Sequence, residues 1–401
     1  MKIITGSVTA PQGFLAQGVE AEIKKENTKD VAIIYSTQPC IASGMFTTNK
    51  VRAACVDINR THLESGGAQA IVVNSGNANA CTGIQGWEDT LAMAQVTADW
   101  LKISPRDVLV ASTGVIGVPM PMERIAMGIE AAADQLSIDG AHNVALAIMT
   151  TDLVHKEMAV EFEIQGKKVR IGAVAKGSGM IHPNMATMLC FITTDAAISC
   201  ECLELMLRAS TERSFNMISV DRDTSTNDMV LMLANGLAGN PRIIDYHGDD
   251  YHLMQAALDL VTISLAKMIA RDGEGATRMI EVEVVNADTY DTARTIARSI
   301  TGSNLTKAAV FGEDANWGRI LAAAGYSGAE FDPGRVDIYL GAEKMAENGM
   351  GLSFDEDRAR QELQQDPVII KVDLKAGHQQ ATAWGCDLTY DYVRINAAYR
   401  T

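Results

Sequence analysis

The chain has 401 residues, of which 47% are apolar, 21% charged and 5% aromatic, which excludes a disordered or fibrous protein and leaves room for two lobes or one large layered domain. A net charge of −16 argues against nucleic acid as a partner, because binding phosphate backbones calls for a basic surface. The apolar windows VALAIM (144–149) and VFGEDANWGRILAAAGY (310–326) fall short of the roughly 20 residues of a membrane span, and MKIITGSVTAPQGF does not read as a secretory signal, so a cytosolic protein is expected.

In chain order, DVAIIYS (30–36), QAIVVNSG (69–76) and DVLVASTGV (107–115) are short β-branched runs that end in Gly, Asn or Ser, the pattern of buried strands opening into loops. WEDTLAMAQVTADWL (87–101) predicts a helix. PMERIAMGIEAAADQL (121–136) predicts another, with Ile125, Ile129, Ala132 and Leu136 on one face behind Pro121. A helix is expected around 201–213, then a strand with the polar end SVDRDTSTND (219–228), then a long helix from about 252 to 270 that breaks at Gly273 and Gly275. RMIEVEVV (278–285) alternates as a half-buried strand. PVIIKVDLKAG (367–377) and ATAWGCDLTYDYVRI (381–395) are expected to form a terminal hairpin. With no internal repeat and no low-complexity linker, the organisation reads as mixed α and β in packed layers.

Seven cysteines are scattered and odd in number, which predicts buried free thiols rather than a disulfide framework. The seven histidines are equally dispersed, with no HExxH, so no metal site is expected. Neither GxGxxG nor GxxxxGK[ST] occurs, so a nucleotide-binding module is disfavoured.

The stretch KGSGMIHPNMATML (176–189) puts a lysine, two glycines and a Pro-Asn turn ahead of Ala186-Thr187. A threonine hydroxyl is a poor nucleophile without a base, and the nearest base is its own α-amino group, which is free only at a chain terminus. With a pKa of about 7.7–8.0, such an amine is partly neutral at physiological pH and can accept the hydroxyl proton. An internal threonine can become catalytic by cutting its own chain, and the upstream turn elements permit the sharp backbone that attack on the preceding carbonyl requires; the alternative on spacing alone is a threonine simply packed in an apolar run.

That stretch, continued as KGSGMIHPNMATMLCFITTDA, resembles the cleavage site of the ornithine acetyltransferase (glutamate N-acetyltransferase, ArgJ) family, whose precursors split between the Ala and Thr of the MATML run. The likeness extends through STGVIG (112–117), AIMTTD (147–152), SFNMISVDRDTSTND (214–228), RDGEGATR (271–278), DANWGRI (314–320) and GCDLTYDYVRINAAYRT (385–401), over most of the chain. The resemblance implies an α/β (α+β layered, ArgJ/DmpA-like) sandwich. It also implies a cut into 1–186 and 187–401, with the two products intertwined and paired again as an α2β2 assembly.

It implies the roles as well. Thr187 matches the nucleophile that carries the acetyl group. Thr113 and Gly114 match the oxyanion hole, where a hydroxyl and a backbone N–H meet the developing charge. Thr150 matches a substrate-binding threonine, with the adjacent Thr151 leaving the register open by one. Lys176 matches a binding lysine suited to a substrate carboxylate, and Glu274 a binding glutamate suited to ammonium groups. Asn396 and Thr401 match binding positions at the C-terminus, which requires a docked tail; the alternation of CDLTYDYVRI suggests a terminal strand. The substrates implied are N-acetylornithine as donor and glutamate as acceptor, with acetyl-CoA as a further donor in bifunctional members. No metal or organic cofactor is expected. The alternatives are a self-cleaved aminopeptidase or amidase that uses water as acceptor, and a non-catalytic binding protein of the same fold.

The chain departs from the family pattern at four places. Arg222 and Glu22 stand where the family has Gly, Cys55 where it has Pro, and His182 at a position often taken by Ala. His182 reads as a tolerated variant and not as a general base.

Overall fold

The runs LCFI and MVLMLA are apolar at every position, which suits a strand covered on both faces, and that is where they lie. Residues 1–24, 27–182 and 188–398 are described by the structure, a computed structural model; Ala186, Thr187 and Thr401 lie outside the described residues. Among the described residues nine strands form the first sheet. Eight run in the order Lys2–Ile4, Lys156–Ile164, Lys167–Lys176, Leu189–Thr194, Met229–Ala234, Val31–Phe46, Gly67–Asn77 and Val108–Val115. The ninth, Phe14–Val19, pairs with the first half of Val31–Phe46, whose second half pairs with Met229–Ala234.

Leu189, Phe191, Met229 and Leu231 face one core; Cys190, Ile192, Val230 and Met232 face the other. Helices Ala54–Leu63, Gly83–Leu101, Met122–Asp134 and Ala141–Ile148 cover the first face, bringing Met93, Ile125, Ile129 and Val144 into its core. Helices Cys200–Arg213 and Asp249–Arg271 cover the second face. Beyond them lies a seven-stranded sheet in the order Met350–Gly351, Glu343–Glu347, Asp337–Leu340, Val368–Asp373, Met279–Ala287, Gln379–Cys386 and Ile218–Ser219. Helix Tyr290–Thr301 packs on its far side. The layered α/β expectation therefore holds, and residues on either side of position 186 share one sheet: Lys167–Lys176 pairs antiparallel with Leu189–Thr194.

Four expectations are corrected. The segment 220–228 is loop and not strand, because the Asp221 carboxylate takes the backbone N–H groups of Met180, Ile181 and Asp223 at 2.7, 2.8 and 3.2 Å. The last two strands do not form a hairpin: Met279–Ala287 inserts between them, parallel to Val368–Asp373 and antiparallel to Gln379–Cys386. The chain then leaves the sheet, as Asp387 accepts from the N–H groups of Thr277 and Arg278 and Thr389 caps Tyr392, so that Tyr390–Ala398 is a helix instead of a continuing strand. Finally, helix Asp249–Arg271 is long and apolar enough to cross a membrane by length and composition, yet it is a core helix between the two sheets, with Met254, Leu258, Val261 and Leu265 fully buried.

Candidate active site

Two strands of the first sheet end at one cavity. The strand Val108–Val115 brings Thr113 and Gly114 to its mouth, and Lys167–Lys176 delivers Lys176. Gly114 has a φ of +134° and faces Gly76 across the parallel pair; a Cβ there would lie 2.3 Å from the Gly76 carbonyl carbon, so only glycine fits. The turn after Ala141–Ile148 supplies Thr150 and Thr151, and the break after Asp249–Arg271 supplies Glu274. The C-terminal helix approaches Gly275 so closely that a Cβ would lie 2.6 Å from the Tyr392 nitrogen, and from it Asn396 Nδ2 donates to Glu274 Oε2 at 2.8 Å. These side chains, with Ser225, Asn227, Asp228 and Met188, line a cavity of about 110 Å³.

The positions predicted from sequence thus converge wherever they are described: Thr113, Gly114, Thr150, Lys176, Glu274 and Asn396 share one pocket, although they span 283 positions of sequence between Thr113 and Asn396. Thr187, Ala186 and Thr401 lie outside the described residues. Met188, the residue after Thr187, lines the cavity, and the fully buried strand Leu189–Thr194 follows it. Between the two threonines left open by sequence, it is Thr150 whose Oγ1 accepts from Lys176 Nζ, at 2.7 Å; Thr113 Oγ1 stands at 3.4 Å from the same nitrogen.

Lys176 is buried, and burial pulls its pKa down against the opposing pull of Asp152. No carboxylate lies within ion-pair distance of it among the described residues. Asp228, buried on the cavity wall, is the opposite case: burial raises its carboxyl well above the usual range, and its Oδ2 has no hydrogen-bond partner among the described residues. Sequence reasoning placed Asp228 in a motif and gave it no role. A carboxylate that ends a polar run just before the apolar MVLMLA was the available signal.

Behind the pocket wall, Lys156 is 1% exposed and donates to Asp152 Oδ1 at 2.7 Å, to Asp272 Oδ2 at 2.6 Å and to the Val154 carbonyl at 3.1 Å. Burial by itself would raise the Asp152 carboxyl, but Lys176 and Lys156 together with the Gly177 N–H bring it down to about 2. The cluster is not legible along the chain, because Asp272 lies 116 positions from Lys156 and reaches it only through the fold.

His182 sits beside this site as a neutral ring. Burial, then Arg298 and Arg222, depress it to about 4, and its Nδ1 meets Ser219 Oγ at 3.0 Å. Glu22 and Arg222 keep φ values of +57° and +69°, the left-handed conformation for which glycine is the easy choice. Cys55 occupies the first turn of Ala54–Leu63, where a proline would also be at home. All seven cysteines are free, and five are buried. The histidines that look dispersed in sequence are not all dispersed in space: His142, His155 and Glu157 meet on the surface with their ligand atoms within 4.8 Å of one another.

A model of the ArgJ family matches residues 15–401. The chain is 58% identical over 403 residues to the arginine biosynthesis bifunctional protein ArgJ of Symbiobacterium thermophilum, covering 100% of both chains. It is 52% identical over 405 residues to the protein of the same name from Caldanaerobacter subterraneus, again with 100% of both covered. Among solved structures, the arginine biosynthesis bifunctional protein ArgJ of Bacillus halodurans superposes with a TM-score of 0.51 at 49% identity, covering 52% of this chain and 98% of its own.

Proposed function

This chain belongs to the ArgJ family, and on that premise we propose that it is an ornithine acetyltransferase of arginine biosynthesis, moving acetyl from N-acetylornithine to glutamate through an ester on Thr187. The observation that carries this reading is the convergence of Thr113, Gly114, Thr150, Lys176, Glu274 and Asn396 on one cavity that Met188 also lines.

The chemistry follows from what each group offers. Once the bond between Ala186 and Thr187 is cut, the new α-amine takes the Thr187 hydroxyl proton as Oγ attacks the acetyl carbonyl. The Thr113 hydroxyl and the Gly114 N–H meet the oxyanion. Collapse breaks the carbon–nitrogen bond, the α-ammonium returns its proton to the departing amine, and ornithine leaves. Glutamate then runs the same steps in reverse. Lys176 suits the α-carboxylate common to both amino acids and Glu274 the ammonium groups, so one pocket serves donor and acceptor. The relatives are named bifunctional, and acetyl-CoA as a second donor is our reading of what the further activity would be in this chain. Nucleophile, base and oxyanion donors all come from the chain, and the reaction calls for no metal or organic cofactor.

The cut gives 1–186 and 187–401, which reassemble as an α2β2 particle. One fact supports the cut: the solved Bacillus halodurans chain, matched over 98% of itself, spans only 52% of this one, about the share of 187–401; the direct pairing of the strands on either side would hold the two products together. Seven free thiols suit the reducing cytoplasm as its compartment.

Intact mass spectrometry tests the mechanism. Two polypeptides are expected, one beginning at Thr187, and incubation with N-acetylornithine adds one acetyl group to that product alone. Thr187→Ala leaves a single species of 43.0 kDa and lowers transfer by about 10³-fold or more. An uncut chain of full activity refutes the proposal, and acetyl release that needs no glutamate points instead to hydrolysis with water as acceptor.

A further inference from the structure

Lys176 reaches the cavity from the end of a strand, and what stands behind it is a second, closed set of charges. Asp152 binds both sides of it. Its Oδ1 accepts from Lys156 Nζ at 2.7 Å and from the N–H of Gly177, the residue after Lys176, at 2.7 Å. Its Oδ2 accepts at 3.1 Å from the N–H of Thr150, whose hydroxyl takes the Lys176 ammonium. Lys156 in turn holds Asp272, whose Oδ2 also accepts from the N–H groups of Leu153 and Val154, and whose carbonyl accepts from Ser178 Oγ at 2.7 Å. Two residues on, Glu274 donates its N–H to the Ser178 carbonyl at 3.0 Å. The three segments that carry Thr150, Lys176 and Glu274 are therefore tied to one buried cluster that does not itself line the cavity.

The cluster bears on charge as well as position. The groups that face Lys176 are Asp152, Asp228 and Glu274, which favour its ammonium, and Lys156 and Lys24, which oppose it. Of the three carboxyls, Asp228 is itself pushed towards its neutral form by burial, and Glu274 is engaged by Asn396. Asp152 is the one that two lysines and two backbone N–H groups keep ionised.

We propose that Asp152, clamped by Lys156, is a positioning residue that keeps the Lys176 ammonium charged and aimed into the pocket, so that recognition of the substrate's α-carboxylate depends on a carboxylate that never touches substrate. The proposal rests on the reading of Lys176 as the carboxylate-binding residue. Lys156 completes the clamp, because a lone carboxylate in that wall would take up a proton and lose its effect, whereas Asp272 holds the far side of Lys156 and does not face Lys176.

The test compares two equally buried carboxylates of the same cluster. In Asp152→Asn, KM for glutamate is expected to rise about tenfold per pH unit at pH values where the wild-type KM is still flat, as Lys176 loses its proton earlier. The low-pH kcat changes far less than KM. Asp272→Asn keeps an acceptor for Leu153 and Val154 and does not face Lys176, so its KM profile keeps the wild-type midpoint. Superimposable profiles for Asp152→Asn and wild type, or an equal displacement in Asp272→Asn, overturn the proposal. A second measurement needs neither substrate nor turnover: NMR of ¹³Cε-labelled lysines, with the Lys176 signal identified by its loss in Lys176→Met. In wild type that signal is expected to report a charged ammonium throughout the pH range in which the wild-type KM is flat, whereas a neutral amine within that range overturns the proposal even where Asp152→Asn does not fold. Absence of acetyl transfer to glutamate in wild type defeats the functional reading alone, and the NMR titration still decides the clamp.

Discussion

Lys156 and Lys176 stand one register step apart on paired strands, Lys156 lying opposite Ala175, and both bury an ammonium group. Lys156 is enclosed by two carboxylates and a carbonyl within 3.1 Å. Among the described residues, Lys176 is met only by two hydroxyls, at 2.7 and 3.4 Å. A buried charge with a complete set of partners holds structure together, whereas one with an incomplete set is waiting for a ligand, and here the two kinds share one wall.

The largest expected effect breaks the first kind. Lys156→Met leaves Asp152 and Asp272 as adjacent buried carboxylates and is expected to cost about 3–5 kcal/mol in a urea unfolding experiment. Lys176→Met does the reverse: stability is unchanged or slightly raised, because a poorly matched ammonium is no longer buried, while KM for glutamate rises about 30-fold in steady-state kinetics. A large stability loss in Lys176→Met would erase the distinction between the two lysines.

His182 sharpens the comparison with a third cation-forming group, half-buried, for which loss of solvation outweighs everything else. Its folded pKa, about 4, lies below the ordinary 6.5, so the unfolded chain binds the extra proton between those values. The stability it contributes is complete above about pH 6.5 and is lost as pH falls towards 4. His182→Gln is expected to flatten that part of the stability–pH curve, read by thermal melts at successive pH values. The smallest effect belongs to Asn396, on a helix with no buried residue. Asn396→Ala removes one hydrogen bond to Glu274 and is expected to raise KM for ornithine-type substrates about threefold, with no change in melting temperature.

Much of the fold was legible along the chain wherever period and composition agreed. The helix Met122–Asp134 buries Ile125, Ile129 and Ala132, as their spacing requires, and Val108–Val115 opens into its loop at the Ser-Thr-Gly that ends it. Legibility failed where side chains outvoted the pattern. Asp221 turned 220–228 into a loop by binding three backbone N–H groups, and Asp387 with Thr389 turned the last alternating run into a helix. Strand order was equally hidden, since nothing local in PVIIKVDLKAG announces that Met279–Ala287 will separate it from the strand that follows it in sequence.

By itself the sequence named the candidate residues, and it did so through its resemblance to the ArgJ family: turn elements ahead of Thr187 are a local signal, whereas Thr113, Gly114, Lys176 and Glu274 are ordinary residue types that only the family motifs single out. Only the tertiary structure decided that Asp152, Lys156 and Asp272 would gather behind Lys176, and that Asp228 would be buried with one carboxylate oxygen that meets no partner among the described residues. Those outcomes depend on burial and on charges brought close from far along the chain, and neither exists until the layers have packed.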